Sequence, residues 1–96
     1  DIESQALWRM VRAPILARAG DVAAAEALAR EAIAMLRPTE APMLKADARV
    51  ELARVLATAG RLDASREALA DAAAIYRVKG NRVMTERCAA LARRGA

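Results

Sequence analysis

Sliding the sequence by 40 positions lays its turns on top of one another: Ala19-Gly20 falls on Ala59-Gly60, and a helix-length run follows each before a break at Pro38 and at Gly80. The same shift superposes Arg9 on Arg49, Ala13 on Ala53, Leu16 on Leu56, Ala17 on Ala57, Ala24 on Ala64, Ala32 on Ala72, Ala34 on Ala74 and Arg37 on Arg77. Alanine inflates that agreement, so the repeated punctuation carries the greater weight. A period of this length belongs to a supersecondary unit that cannot bury its apolar face alone and must stack on its neighbours.

The units are helical. Aromatic residues make up 2% of the chain and Phe is absent, although 56% is hydrophobic by the broad count, so Ala, Leu and Val must supply the burial. Alanine is the strongest helix former, while the β-branched and aromatic runs that strands need are missing. The expected fold is all-α: antiparallel helix hairpins stacked as a short right-handed α-solenoid of about five helices. These are expected near 3 to 18, 22 to 36, 41 to 58, 62 to 78 and 81 to 93. Gly20 and Gly60 allow the left-handed residue that ends a helix and reverses the chain. Pro38 stops the second helix, Thr39 offers a hydroxyl N-cap to the third, and Pro42 suits its first turn. Gly80 and Asn81 repeat the pattern as a terminating glycine and an N-cap. Apolar sides are expected from Leu28, Ile33, Met35 and Leu36; from Val50, Leu52, Val55 and Leu56; and from Val83, Met84, Cys88 and Leu91. Pro14 removes a backbone hydrogen bond and predicts a bend in the first helix, which Leu7, Met10, Val11 and Ile15 nonetheless sustain as one element.

The chain has 96 residues, enough for one core. It has no His, which removes the commonest general base and metal ligand near neutral pH, and its isolated glycines form no phosphate-cradling loop. The expectation is therefore no enzyme activity and no cofactor or metal. A lone cysteine forms no internal disulfide, which makes the cytoplasm the default location, and Cys88 reads as a small buried hydrophobe. Charged residues interrupt every apolar run, so no membrane partner is expected. The formal charge of +4 gathers at the end, where Arg77, Lys79, Arg82, Arg87, Arg93 and Arg94 face only Glu86. The excess of arginine over lysine fits anion recognition, though a GC-rich coding bias is the weightier reading. Carboxylates at helical spacing from arginine, such as Glu26 with Arg30 and Asp63 and Glu67 beside Arg66, fit a solvated face. The chain opens with Asp1 already in helical sequence, which reads as an excised piece of something longer.

Residues 49 to 77 resemble the tetratricopeptide pattern: Leu52-Ala53, Leu56, Gly60, the small residue Ser65, Leu69 and Ala72, with Ala13, Leu16, Gly20, Ala25, Ala29 and Ala32 at matching offsets in the first unit. The chain departs from that family in three ways. Trp8 stands one position before the usual tryptophan site, held here by Arg9; the aromatic positions carry Leu or Ala; and the period is 40 where the family has about 34. It is most similar to the degenerate, alanine-rich, long-period members attached to bacterial ATPase-type transcription regulators, nucleotide cyclases and kinases. The resemblance implies one domain over 1 to 96, with a first repeat at about 3 to 38, a second at about 41 to 79 and a capping helix at about 81 to 94.

It also implies a concave groove lined by the first helix of each hairpin: Leu7, Met10, Pro14 and Arg18; Asp47, Val50, Arg54 and Thr58; and Arg87, Ala90 and Arg94. The family's carboxylate clamp is absent, since Met10, Pro14 and Glu51 stand where its lysine and asparagines would be. The function so implied is a non-catalytic interaction module of a larger bacterial signalling or transcription-regulatory protein, holding a peptide or helix with an acidic flank. The alternative is homodimerisation through repeat ends, since a short stack leaves both ends unsaturated, with Leu7 and Trp8 as the contact. Trp8 is an inter-repeat seam if the parent continues upstream and an exposed patch if it does not. Tyr76 is expected against the fifth helix with its hydroxyl at the rim. Nucleic acid is disfavoured, because stacking aromatics and a clean basic stripe are missing.

Overall fold

A computed structural model describes residues 1 to 95. Five helices follow one another: α1 (Ile2–Arg18), α2 (Val22–Leu36), α3 (Pro42–Thr58), α4 (Leu62–Val78) and α5 (Arg82–Arg94), with no strand among the described residues. α1 packs on α2, α3 on α4 and α4 on α5, while α3 also meets α2 and α1. The Cα atoms fill a slab of 36 × 35 × 16 Å, two helices thick.

The turns explain the boundaries. After α1, the amide of Gly20 donates to Ala17 and that of Asp21 reaches back to Leu16 (2.9 Å); after α3, Gly60 donates to Ala57 and Arg61 to Leu56; after α4, Gly80 donates to Arg77 and Asn81 to Tyr76. This paired closure satisfies the carbonyls orphaned at a helix end, with a left-handed residue in the glycine position. The residue after the glycine then starts the next helix, as Asp21 accepts from the Ala24 amide and Asn81 from the Met84 amide. The end of α2 is built differently. Thr39 does not cap α3; its hydroxyl donates to the Leu36 carbonyl at 2.6 Å and closes α2, while α3 begins at Ala41-Pro42 without a side-chain cap. The helix is held at Pro42 by the fixed proline φ. Pro14 lies inside α1, which runs through it as one α-helix.

The core differs from its expectation in which side chains fill it. Large apolar residues of α1 point outward, and Ala6, Ala13 and Ala17 point in beside Met10; α2 answers with Ala25, Ala29, Ala32, Ile33 and Leu36. Leu7, Val11 and Ile15, which carry the helical period across Pro14, are exposed. Alanine on facing helices lets the two backbones approach closely, and the bulk that such an interface rejects is displaced to the other side of α1. In α3 the expected Val50, Leu52, Val55 and Leu56 are all buried, whereas Val83 of α5 is 75% exposed. The carboxylate of Glu26 accepts from Arg30 at 2.9 Å within α2 and from Arg61 at 2.6 Å, joining the two hairpins at the surface. These hydrogen bonds, Arg30's first, hold the Glu26 carboxyl below its usual range.

Gly60 has φ +77° and open space where a Cβ would stand. Gly60→Ala therefore tests backbone conformation alone. It should cost about 1 kcal/mol in urea unfolding with helix content unchanged, since an L-residue pays that much in the left-handed region.

Candidate functional site

The first helices of the hairpins carry their candidate groove residues in register: Leu7, Asp47 and Arg87 are 40 apart, as are Pro14, Arg54 and Arg94, and Arg18 with Thr58. The structure divides them. Met10 and Val50 are buried, at 7% and 4% exposure, and belong to the core rather than to a surface a ligand reaches. Ala90 is half-buried, and Arg87 is exposed at the middle of α5. Arg18, Arg54, Thr58 and Arg94 are exposed near the C-terminal ends of their helices, where cations are favoured by the carbonyl dipoles.

Two hollows flank Arg54. One, of about 300 Å³, is lined by Ala53, Ala57, Leu62, Ser65, Leu69 and Leu91, with Arg54 and Arg94 at its edge. The other, of about 320 Å³, lies between α1 and α3, lined by Pro14, Ala17, Val55, Ala57 and Thr58 with Arg18 and Arg54. Each has a mostly apolar lining that includes two arginines. The Ser65 hydroxyl is buried and donates to the Ala53 carbonyl (2.7 Å), and the Thr58 hydroxyl donates to the Arg54 carbonyl (3.0 Å), so neither is held open for a ligand. Leu62, Leu69 and Leu91 were not among the expected lining. Leu62 and Leu69 are seven apart on one face of α4, a spacing that marks them as apolar contact residues but not as a ligand-facing floor.

Acidic groups sit beside these arginines. Glu51 Oε1 lies 3.9 Å from Arg54 Nε. Burial raises the Glu51 carboxyl, with Arg54 and Arg18 opposing that shift and Asp47 adding to it. Asp47 is committed elsewhere: its carboxylate accepts a short hydrogen bond from the Tyr76 hydroxyl. Tyr76 is fully buried, not at the rim, and ties α4 to α3 through this bond. Desolvation first and the Asp47 carboxylate second push the Tyr76 phenol well above the usual tyrosine range, and the same two causes raise the buried Cys88 thiol.

At the far side of α1, Leu7 and Trp8 are 43% and 54% exposed, in one shallow depression with Ser4, Val11, Arg12 and Ile15. The guanidinium of Arg9 lies 5.3 Å from the Trp8 ring centroid and pairs with Glu31 of α2 at 2.9 Å. Among the described residues no three of His, Cys, Asp and Glu gather as a metal site, and no helix is long and apolar enough to cross a membrane. Neither a protein-family model, nor a curated protein, nor a solved structure matches the chain.

Two measurements probe the polar contacts. For Glu51 the folded state holds the carboxyl's titration above its unfolded value, so stability is greatest with the proton on and falls as pH rises through the carboxylate range. Glu51→Gln should raise the urea midpoint at pH 7, and the two proteins should converge near about pH 3, where the carboxyl is protonated in both states. Tyr76 is the single tyrosine. Its folded titration is also raised, so its contribution is complete below about pH 10 and is lost as pH climbs further. Phenolate absorbance should stay absent past that pH and emerge together with loss of helix. Tyr76→Phe should cost about 1 kcal/mol at pH 7, because Asp47 loses its partner, and should postpone alkaline unfolding.

Proposed function

We propose that the chain is a non-catalytic protein–protein interaction module, a short right-handed α-solenoid of the tetratricopeptide type working in the cytoplasm within a larger bacterial signalling or transcription-regulatory protein. It holds a peptide or helix of its partner along the groove formed by α1, α3 and α5. The observation that carries the reading is Arg54, placed between two apolar hollows with Arg18 beyond one and Arg94 beyond the other. Such a row takes a segment whose apolar side chains enter the hollows and whose carboxylates meet the guanidinium forks. Guanidinium groups at the rim set orientation and on-rate, and the apolar floor holds the segment in place.

The resemblance in residues 49 to 77 supports the same reading, as does the helix-hairpin order of the elements. The groove's depth of charge is modest, because Glu51 offsets part of the field of Arg54 and Arg18. A partner with acidic flanks and an apolar stripe therefore fits better than a uniformly acidic one.

The test is fluorescence anisotropy with a labelled amphipathic peptide of leucine at helical spacing flanked by glutamate. Binding should weaken with salt, and Arg54→Glu should weaken it at least about tenfold, or 1.4 kcal/mol. Arg77→Glu, on exposed α4 surface outside the groove, should change it little. Absence of binding, or equal loss in both variants, would count against the groove.

A further inference from the structure

We infer that the hollow between α3, α4 and α5 is a binding site for a small amphipathic acid, a carboxylate on an apolar body, of about ten non-hydrogen atoms in all. The inference goes beyond the peptide groove and does not need it, since the free acid enters a hollow whose walls come from three helices. A partner's side chain and the acid exclude one another there.

The two repeats show how the hollow arises. Moved back 40 positions, Leu91, Arg94 and Gly95 of α5 and its cap fall on Glu51, Arg54 and Val55 of α3. In the first repeat Val55 is 1% exposed, a buried side chain on a helix that packs against α1. In the second, Gly95 stands where that side chain would be, and α5 packs on α4 without a comparable contact to α3. The space left over is about 300 Å³, the lower end of the range of small-ligand pockets.

Charge follows the same comparison. Glu51, three residues before Arg54, sets its carboxylate 3.9 Å from that guanidinium. Arg94 has Leu91 at the same spacing and makes no ion pair among the described residues. A ligand's carboxylate supplies to Arg94 what Glu51 supplies to Arg54, and its hydrocarbon takes the volume that valine has in the first repeat. Arg54 belongs to the same lining, so two arginines compensate one carboxylate. Leu62, Leu69 and Leu91 give the apolar wall. Ser65 already donates its hydroxyl to the Ala53 carbonyl, so the interior favours hydrocarbon over a second polar group.

The test is titration of the isotope-labelled 96-residue chain with octanoate, followed by amide NMR, beside octanamide, which keeps the size and loses the charge. Octanoate should saturate below about 1 mM and move the amides of Ser65, Leu69 and Leu91 while those of Trp8 and Ile15 stay. Octanamide should bind at least about tenfold more weakly. Gly95 has a right-handed φ of −66°, and a Cβ there would meet Leu62 Cδ2 at 3.6 Å, an ordinary contact. Gly95→Val should therefore fold as the parent does, fill the hollow and lose octanoate. Arg94→Gln should weaken octanoate about tenfold and leave octanamide unchanged, whereas Arg77→Gln, outside the hollow, should change neither. No saturable shift at Ser65 and Leu91, equal binding of octanamide, the largest shifts at Trp8, or undiminished binding by folded Gly95→Val would overturn the proposal. No peptide is present in these titrations, so failure of the acid site and failure of the peptide groove are read separately.

Discussion

The close approach of helices across alanine governs this molecule. With Ala6, Ala13 and Ala17 on α1 and Ala25, Ala29 and Ala32 on α2, the first hairpin is held by backbones brought near each other and by dispersion between small groups, not by interlocking bulk. Such an interface is tight but yields little apolar area per residue. The larger side chains concentrate in the second hairpin, where Leu56, Leu69, Val55 and Tyr76 are buried. The two repeats therefore share a turn geometry and differ in how they are held.

Much of this was legible in the sequence. Each of the five helices starts and stops within about a residue or two of its expected limits, which is the usual uncertainty of a helix end, because glycine, proline and capping residues act locally. What was not legible is direction. Leu7, Val11 and Ile15 obey a helical period, and so do Ala6, Ala13 and Ala17; period alone does not say which of two apolar faces turns inward when alanine competes with leucine. The structure chose the small residues because the neighbouring helix presents alanine too. Thr39 shows a similar ambiguity, since a hydroxyl beside Pro38 serves the helix before it as readily as the one after.

The groove was partly legible. Arg18, Arg54 and Arg94 follow from register, and register cannot see that Met10 and Val50 are consumed by the core or that Asp47 is held by Tyr76 across 29 residues of chain. A buried tyrosine that donates to a carboxylate on the other helix of its own hairpin makes the Asp47 acceptor part of the fold's cohesion. This removes one acidic group from the groove, and the field there follows from Glu51 set among arginines.

The two outer faces differ in what they offer a further unit. Tandem repeats lengthen by duplication, and a duplicated unit survives only where it finds an apolar face to stack on. A unit stacked on α5 would meet exposed Glu86 and Arg93 beside Val83, whereas one stacked on α1 would meet Trp8, Val11 and Ile15. Duplication against α1 therefore needs fewer compensating substitutions than duplication against α5.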